Sequence, residues 1–225
     1  MPPSADVPEL FADGDDVWCQ VVNRTPGPVR RGALFLDRDG VMVEEVPYLH
    51  RIEDARLIPG TVAAIRAANA RAIPVVVVTN QGGIGLGKYG WADFARLQDW
   101  MWGQLAEADA FVNAALACPH HPEGRGLLRV SNHPDRKPNP GMLMRALEIL
   151  PIDAAASWMV GDREIDVQAA KSAGLAGAVH IRSAHKDFAA ARTKAAALAD
   201  AGFRVRACDD ADTLTEVLIP LWAQG

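Results

Sequence analysis

The fold of this 225-residue chain is decided by the stretch Ala33-Leu34-Phe35-Leu36-Asp37-Arg38-Asp39-Gly40-Val41. Its first four apolar residues predict a buried strand, and two carboxylates follow where the strand meets solvent. In extended backbone, Asp37 and Asp39 project to one side and Arg38 points away. Two neighbouring carboxylates repel each other, which indicates a bound cation or a shared proton. A plain acidic turn is the alternative, since Asp and Gly are common turn residues.

Apolar runs and amphipathic segments alternate on the C-terminal side of this stretch. Strands are predicted at Ala33–Leu36, Pro74–Val78, Phe111–Ala117, Ser157–Val160, Ala176–Ile181 and Phe203–Ala207. Helices are predicted at Gly60–Arg71, Trp91–Ala108, Pro140–Leu150, Ile165–Ala173, Asp187–Ala201 and Ala211–Trp222. The β-branched run Val75–Val78 is typical of a strand buried on both faces of a parallel sheet. The pattern predicts an α/β fold with a doubly wound, mostly parallel, Rossmann-like sheet.

We expect two parts along the chain: an irregular N-terminal arm over residues 1–32, with a short strand at Val17–Val22, and a single domain over residues 33–225. The net charge of −5 argues against binding to nucleic acid or to an anionic membrane. No apolar run approaches the roughly 18 residues of a membrane span. The three cysteines are odd in number and widely spaced, which argues against a disulfide framework. These observations predict a cytoplasmic protein, and we expect a monomer.

Chemically useful residues are predicted at the carboxyl ends of the strands, where open α/β sheets bind ligands. Thr79-Asn80-Gln81-Gly82-Gly83-Ile84-Gly85 would suit a phosphate, although a plain loop is the alternative. Lys137 stands between Arg136 and a proline, where it would neutralise a carboxylate and a phosphate; a solvated surface lysine is the alternative. Asp162 follows a glycine at a strand tip and suits a metal, whereas Asp166 suits helix capping.

Together these groups match hydrolysis of a phosphomonoester. Mg²⁺ prefers hard oxygen ligands, which the carboxylates supply. One carboxylate of the first pair can attack phosphorus and form an aspartyl-phosphate. Its neighbour can protonate the leaving oxygen and then activate water, while Lys137 offsets charge on the phosphoryl oxygens. A small phosphorylated metabolite is therefore the expected partner.

The four segments, in this order, resemble the haloacid dehalogenase (HAD) superfamily of phosphatases. The residues of these segments are also similar to those of the D-glycero-D-manno-heptose 1,7-bisphosphate 7-phosphatases. In large part they are similar to those of the related histidinol-phosphate phosphatases. The matching runs are Phe-Leu-Asp-Arg-Asp-Gly, Val-Val-Val-Thr-Asn-Gln, Cys-Pro-His-His-Pro and Arg-Lys-Pro-Asn-Pro-Gly-Met, within residues 33–182. The resemblance implies removal of the C7 phosphate of a heptose bisphosphate in carbohydrate metabolism. The alternatives are a phosphatase of histidinol phosphate or another small metabolite, and a phospho-accepting receiver-like module.

The same resemblance implies a role for each site residue. Asp37 would be the nucleophile and a Mg²⁺ ligand, and Asp39 the general acid/base, with its backbone carbonyl on the metal. Asp162 would complete the protein ligands. The implied phosphate and substrate contacts are Thr79, Lys137, Asn80 and Arg136. The intervals between the motifs are too short for a separate cap domain, so an open site is expected.

One loop, residues 118–136, is where the family places a structural zinc bound by Cys-x-His and Cys-x-Cys. Cys118 and His120 match the first half. His133 and Asp135 stand where the two cysteines would be, and His121 competes with His120 as a ligand. Since Cys, His and Asp all bind zinc in proteins, these four residues are candidate ligands. A loop held by prolines and hydrogen bonds alone is the alternative.

Overall fold

Seven strands make up the sheet of the computed structural model, which describes residues 17–23, 30–184 and 187–223. They are β1 (Trp18–Val21), β2 (Leu34–Leu36), β3 (Val75–Asn80), β4 (Ala114–Cys118), β5 (Trp158–Gly161), β6 (Gly177–Ile181) and β7 (Arg204–Cys208). Their order across the sheet is β1-β4-β3-β2-β5-β6-β7. All neighbouring strands are parallel except β1, which is antiparallel to β4. The prediction of a doubly wound, mostly parallel α/β sheet is confirmed.

Helices cover both faces of this sheet because its strands are apolar on both sides. The helices are α1 (Pro59–Asn69), α2 (Gly82–Gly85), α3 (Trp91–Glu107), α4 (Gly141–Ile149), α5 (Glu164–Ser172), α6 (Phe188–Ala196) and α7 (Leu214–Trp222). Leu34 and Leu36 of β2 share a core with α1, α3 and α7, whereas Phe35 shares the opposite core with α4, α5 and α6. Successive side chains of a strand point to opposite faces of the sheet, so the apolar residues of β2 contribute to two separate cores. None of the described helices is long and apolar enough to cross a membrane.

The predicted elements differ from the structure mainly at their ends. The strand predicted from Phe111 begins only at Ala114, because Asn113 accepts a hydrogen bond from the Val75 N–H with its side chain, at 2.9 Å. The predicted helix Ala211–Trp222 begins as a 3-10 turn, since the Asp210 side chain accepts from the Asp212 N–H at 3.0 Å. The short helix α2 lies within residues that were predicted as a loop.

β1 lies within the stretch predicted as the N-terminal arm, and it forms one edge of the sheet. Trp18 of this strand pairs with Ala117 of β4. Its indole also packs against Trp91 and Phe94 of α3, with ring centroids 5.5 and 5.3 Å apart. Residues 1–16 and 24–29 of the arm lie outside the described residues. The described part of the arm therefore contributes an edge strand to the sheet.

The topology places a crevice at the tip of β2. The chain leaves β2 for β3 and β4 on one side, and later returns to β5, β6 and β7 on the other. Ligands bind at such a switch point, at the carboxyl ends of the strands. In the described part of the chain, the connections from β2 to α1 and from β4 to α4 hold only loops and single 3-10 turns. No cap domain therefore stands over this edge in the described residues.

Candidate active site

A buried lysine between two carboxylates forms the centre of the site. Lys137 Nζ lies 2.9 Å from Asp37 Oδ1 and 2.7 Å from Asp166 Oδ1. It also donates to the carbonyl of Val78 at 2.8 Å. Burial alone would lower the pKa of Lys137, but the carboxylates of Asp166 and Asp37 outweigh burial and raise the pKa. Lys137 is thus a fixed positive charge where β2, β3 and α5 meet.

Asn80, at the end of β3, holds the backbone of Lys137. Its Nδ2 donates to the Lys137 carbonyl at 2.9 Å, and its Oδ1 accepts from the Lys137 N–H at 3.0 Å. The family resemblance implies a substrate contact for Asn80, and the side chain lines the cleft. The structure adds a positioning contact that the sequence did not predict.

Three buried carboxylates converge beside the lysine. Asp37, Asp162 and Asp166 each bring a ligand oxygen within 4.8 Å of the others, and the described residues form no other such cluster. Both oxygens of Asp162 are buried, and the side chain of Ser183 is a hydrogen-bonding neighbour of this carboxylate. Burial, together with the charge of Asp166, raises the pKa of Asp162 to about 7. Burial also raises the pKa of Asp37 well above its usual range, although Lys137 opposes this.

This cluster fits a divalent cation that prefers hard ligands. Three carboxylates against one lysine leave excess negative charge in a buried place, where it is costly unless neutralised. The donors are all oxygens, as Mg²⁺ requires. The convergence of buried carboxylate oxygens from Asp37, Asp162 and Asp166, within 4.8 Å of one another, is the observation that most directly calls for a cation.

Gly40 allows the chain to pass close to this cluster. Its φ is +77°, and a Cβ there would lie 2.5 Å from Oδ2 of Asp162. The sequence predicted a sharp turn at this glycine. The structure shows a second reason, which is the room that Asp162 needs.

Asp39 is held by Arg38 and Gln81. The prediction that Arg38 points away from the carboxylates was wrong: its side chain is 1% exposed and donates from Nε and Nη2 to Asp39 at 3.2 and 2.9 Å. The physical reason is that β2 ends at Leu36, so strand alternation does not continue through residues 37–39. Gln81 Nε2 donates to Asp39 Oδ2 at 2.9 Å.

Gln81 connects the phosphate loop to this carboxylate. Its Nε2 also donates to Thr79 Oγ1 at 2.8 Å, and its Oε1 accepts from Arg38 Nη2 at 3.1 Å and from the Tyr89 hydroxyl. The buried amide thereby orients Thr79 and Asp39 together. Gln81 stood in the predicted phosphate loop without a role of its own. Nothing in the sequence pointed to Tyr89.

Asp166 has two roles, of which the sequence predicted one. Its Oδ2 accepts from the Arg163 N–H at 3.1 Å, which is the predicted cap at the start of α5. Its Oδ1 contacts Lys137 and belongs to the carboxylate cluster. The spacing Gly-Asp-x-x-x-Asp was the signal for this second role, because one helical turn returns Asp166 to the strand tip.

The predicted catalytic and phosphate-binding residues share one open cleft of about 620 Å³. They are Asp37, Asp39, Thr79, Asn80, Arg136, Lys137 and Asp162. Arg136 lies at this cleft with its Nη1 donating to the carbonyl of His120 at 2.8 Å. His121 lines the same cleft rather than joining the loop histidines. The cleft can therefore hold an anion against Lys137 and beside Asp37.

No three of the four candidate zinc ligands bring donor atoms within 4.8 Å of one another, although Asp135 Oδ2 lies 3.9 Å from His133 Nδ1. Cys118 Sγ is 3.8 Å from His133 Nδ1, but this nitrogen accepts from the Asp135 N–H at 3.2 Å. The rings of His120 and His133 stack in parallel with centroids 3.7 Å apart, so their in-plane lone pairs cannot meet at one ion. Both carboxylate oxygens of Asp135 are paired with Arg145. This donor set does not fit a tetrahedral zinc site.

The fold and site define a phosphatase of the HAD superfamily. A family model described as HAD-hyrolase-like matches residues 135–200. The chain is 44% identical over 160 residues to a D-glycero-beta-D-manno-heptose-1,7-bisphosphate 7-phosphatase of Mesorhizobium japonicum, covering 71% of this chain and 74% of the relative. A protein of the same name from Escherichia coli K12 is 42% identical over 67% of this chain and 79% of its own length. The chain belongs to the family of D-glycero-D-manno-heptose-1,7-bisphosphate 7-phosphatases.

Solved structures agree with this assignment. A HAD-like protein from Mesorhizobium loti superposes with a TM-score of 0.82 at 37% identity, covering 93% of this chain and 94% of that one. A D,D-heptose 1,7-bisphosphate phosphatase from B. bronchiseptica, complexed with magnesium and phosphate, gives a TM-score of 0.69 at 28% identity. That superposition covers 84% of this chain and 98% of the other.

Replacing Asp162 with Asn is expected to stabilise the metal-free protein and to abolish its stabilisation by Mg²⁺. The substitution removes one of three mutually repelling buried charges together with a cation ligand. We expect the Tm without metal to rise by roughly 2–4 °C, measured by thermal denaturation above the raised pKa of Asp162. Asp99→Asn, at an exposed position of α3, is the matched control. A full Mg²⁺-induced shift in D162N would contradict the placement of the site.

The rise in Tm caused by Mg²⁺ is expected to grow as the pH increases through about 7, because Asp162 must lose its proton before it binds a cation. Its pKa is higher in the folded than in the unfolded chain. This carboxyl therefore destabilises the metal-free protein as the pH rises toward 7. Thermal denaturation across a pH series at constant ionic strength checks both trends. A Mg²⁺ effect of equal size at every pH would argue against them.

Proposed function

We propose that this chain removes the C7 phosphate of D-glycero-D-manno-heptose 1,7-bisphosphate in a Mg²⁺-dependent reaction. The observation that carries the proposal is the ion pair of Lys137 with Asp37 at the floor of an open cleft. This pair provides a nucleophilic carboxylate and a cation for the phosphate beside it. The names of the similar proteins supply the sugar.

Asp37 is the proposed nucleophile. Its carboxylate attacks phosphorus, the bond from phosphorus to the sugar oxygen breaks, and an aspartyl-phosphate forms. Lys137 offsets negative charge on both the carboxylate and the transferring phosphoryl group. Asp166 keeps the lysine in place by its 2.7 Å contact with Nζ.

Asp39 is the proposed general acid and base. It donates a proton to the departing sugar oxygen and later takes one from the water that cleaves the aspartyl-phosphate, which restores Asp37. Gln81 and Arg38 hold this carboxylate in one orientation at the cleft. Thr79, which receives a hydrogen bond from the same Gln81, is the proposed hydroxyl contact of the phosphoryl group.

Mg²⁺ is the only cofactor that we propose. Asp37, Asp162 and the backbone carbonyl of Asp39 would hold it, with Asp166 in the same carboxylate cluster. When bound, the ion neutralises charge on the phosphoryl oxygens. Zinc is not proposed, because the four loop residues do not converge.

Arg136 and Asn80 are proposed to contact the substrate beyond the phosphoryl group, since both line the cleft. The division of the chain into an arm and one domain also stays a prediction. The same is true of the cytoplasmic location, the monomeric state and the lack of nucleic-acid or membrane partners.

Phosphate release from a panel of esters tests the proposed reaction. With Mg²⁺ present, kcat/KM should be highest for an anomer of heptose 1,7-bisphosphate, and Asp37→Asn should lower it by about 10³-fold or more because the nucleophile is lost. Asp99→Asn serves as the control and should act like the parent enzyme.

The other outcomes of the panel separate the alternatives. A higher kcat/KM for histidinol phosphate would move the assignment to that substrate. Turnover that survives in D37N would remove Asp37 as the nucleophile. Lack of turnover on every ester, with stable phosphorylation of the protein by a small phosphodonor, would favour the receiver-like module.

A further inference from the structure

A two-armed ion pair anchors the segment that carries Arg136 and Lys137. Arg145 of α4 donates from Nε to Asp135 Oδ1 and pairs through Nη2 with Asp135 Oδ2, both at 3.1 Å. The side chain of Asp135 is 4% exposed. Two parallel contacts of this kind fix orientation as well as distance. Asp135 directly precedes the two cations of the cleft, so its position restricts theirs.

The first turn of α4 is shaped around this carboxylate. A Cβ at Gly141 would lie 2.4 Å from Asp135 Oδ1. The Gly141 N–H also donates to the carbonyl of Pro134 at 3.0 Å. The helix start thus approaches the Asp135 segment more closely than any other residue type would allow.

Further contacts join the two halves of the loop without a metal ion. The stacked rings of His120 and His133 lie one on each half. Arg136 reaches across to the carbonyl of His120. The Asp135 N–H closes a short turn on His133 Nδ1. The ring stack and the hydrogen bond to His133 Nδ1 involve groups that zinc coordination would need in a different arrangement.

We propose that Arg145 is a positioning residue, which through Asp135 holds Arg136 and Lys137 at the cleft and takes the place of a metal ion in this loop. A carboxylate at position 135 needs a cation when buried, and Arg145 supplies it one helical turn into α4. The consequence for catalysis rests on the proposed phosphatase function. The consequences for stability and metal content do not.

Arg145→Gln tests the proposal in the full-length enzyme with Mg²⁺ present. We expect the Tm to fall by roughly 5–10 °C, because the substitution leaves the Asp135 carboxylate buried without its cation. Well below that Tm, kcat/KM should fall by about tenfold or more. Arg145→Lys keeps the positive charge but cannot make the bidentate contact with the carboxylate. It should therefore show smaller decreases in Tm and in kcat/KM than Arg145→Gln. Arg129→Gln, an exposed arginine of the same loop, is the matched control and should change neither.

A double-mutant cycle and metal analysis complete the test. Asp135→Asn should lower Tm and kcat/KM as R145Q does, and the double variant should be no worse than either single variant. Protein purified from zinc-supplemented medium should contain far less than one zinc per chain, and a zinc-selective chelator should not change its Tm. About one zinc per chain, lost together with stability on chelation, would overturn the proposal. Independent losses in the two single variants would do the same.

Discussion

The buried ammonium of Lys137 is the constraint on which the rest of the site depends. A charge without water must be paired, and here Asp37 after β2, Asp166 at the start of α5 and the Val78 carbonyl of β3 all reach it. The ammonium group is paired only where the end of β2, the start of α5 and β3 meet. The same need explains why Asn80 fixes the lysine backbone from both sides. The contacts that satisfy the buried charge are therefore the same ones on which the proposed catalysis depends.

Two neighbouring aspartates lie in different surroundings because different cations hold them. Asp37 faces Lys137 and belongs to a cluster with excess negative charge, whereas Asp39 is paired with Arg38 and bonded by Gln81. The proposed roles, with Asp37 as the nucleophile and Asp39 as the proton carrier, require two carboxylates in such different surroundings. Arg38, the residue between them in the chain, makes this separation possible.

Sequence reasoning correctly placed the candidate residues that stand at the ends of parallel strands. Asp37, Thr79 and Asp162 each follow an apolar run, and such runs end at one edge of a parallel sheet. Reasoning from spacing failed for Arg38, since its direction depends on where β2 stops hydrogen-bonding. It also missed Tyr89, because no local pattern links this residue to Gln81. Contacts between side chains of separate segments depend on packing, which short motifs do not encode.

The sequence alone determined that the central strands are buried on both faces. It also determined that polar residues follow these strands, and hence that the candidate site lies at the end of the strand before Asp37. It also showed that Cys118, His120, His133 and Asp135 share one loop. Only the tertiary structure decided which contacts these four side chains make. Arg145, ten positions beyond Asp135, projects from α4 onto its carboxylate, and the histidine rings stack instead of converging. Ligand spacing along a chain restricts which residues can meet, but the packing of α4 against the loop selects the partner.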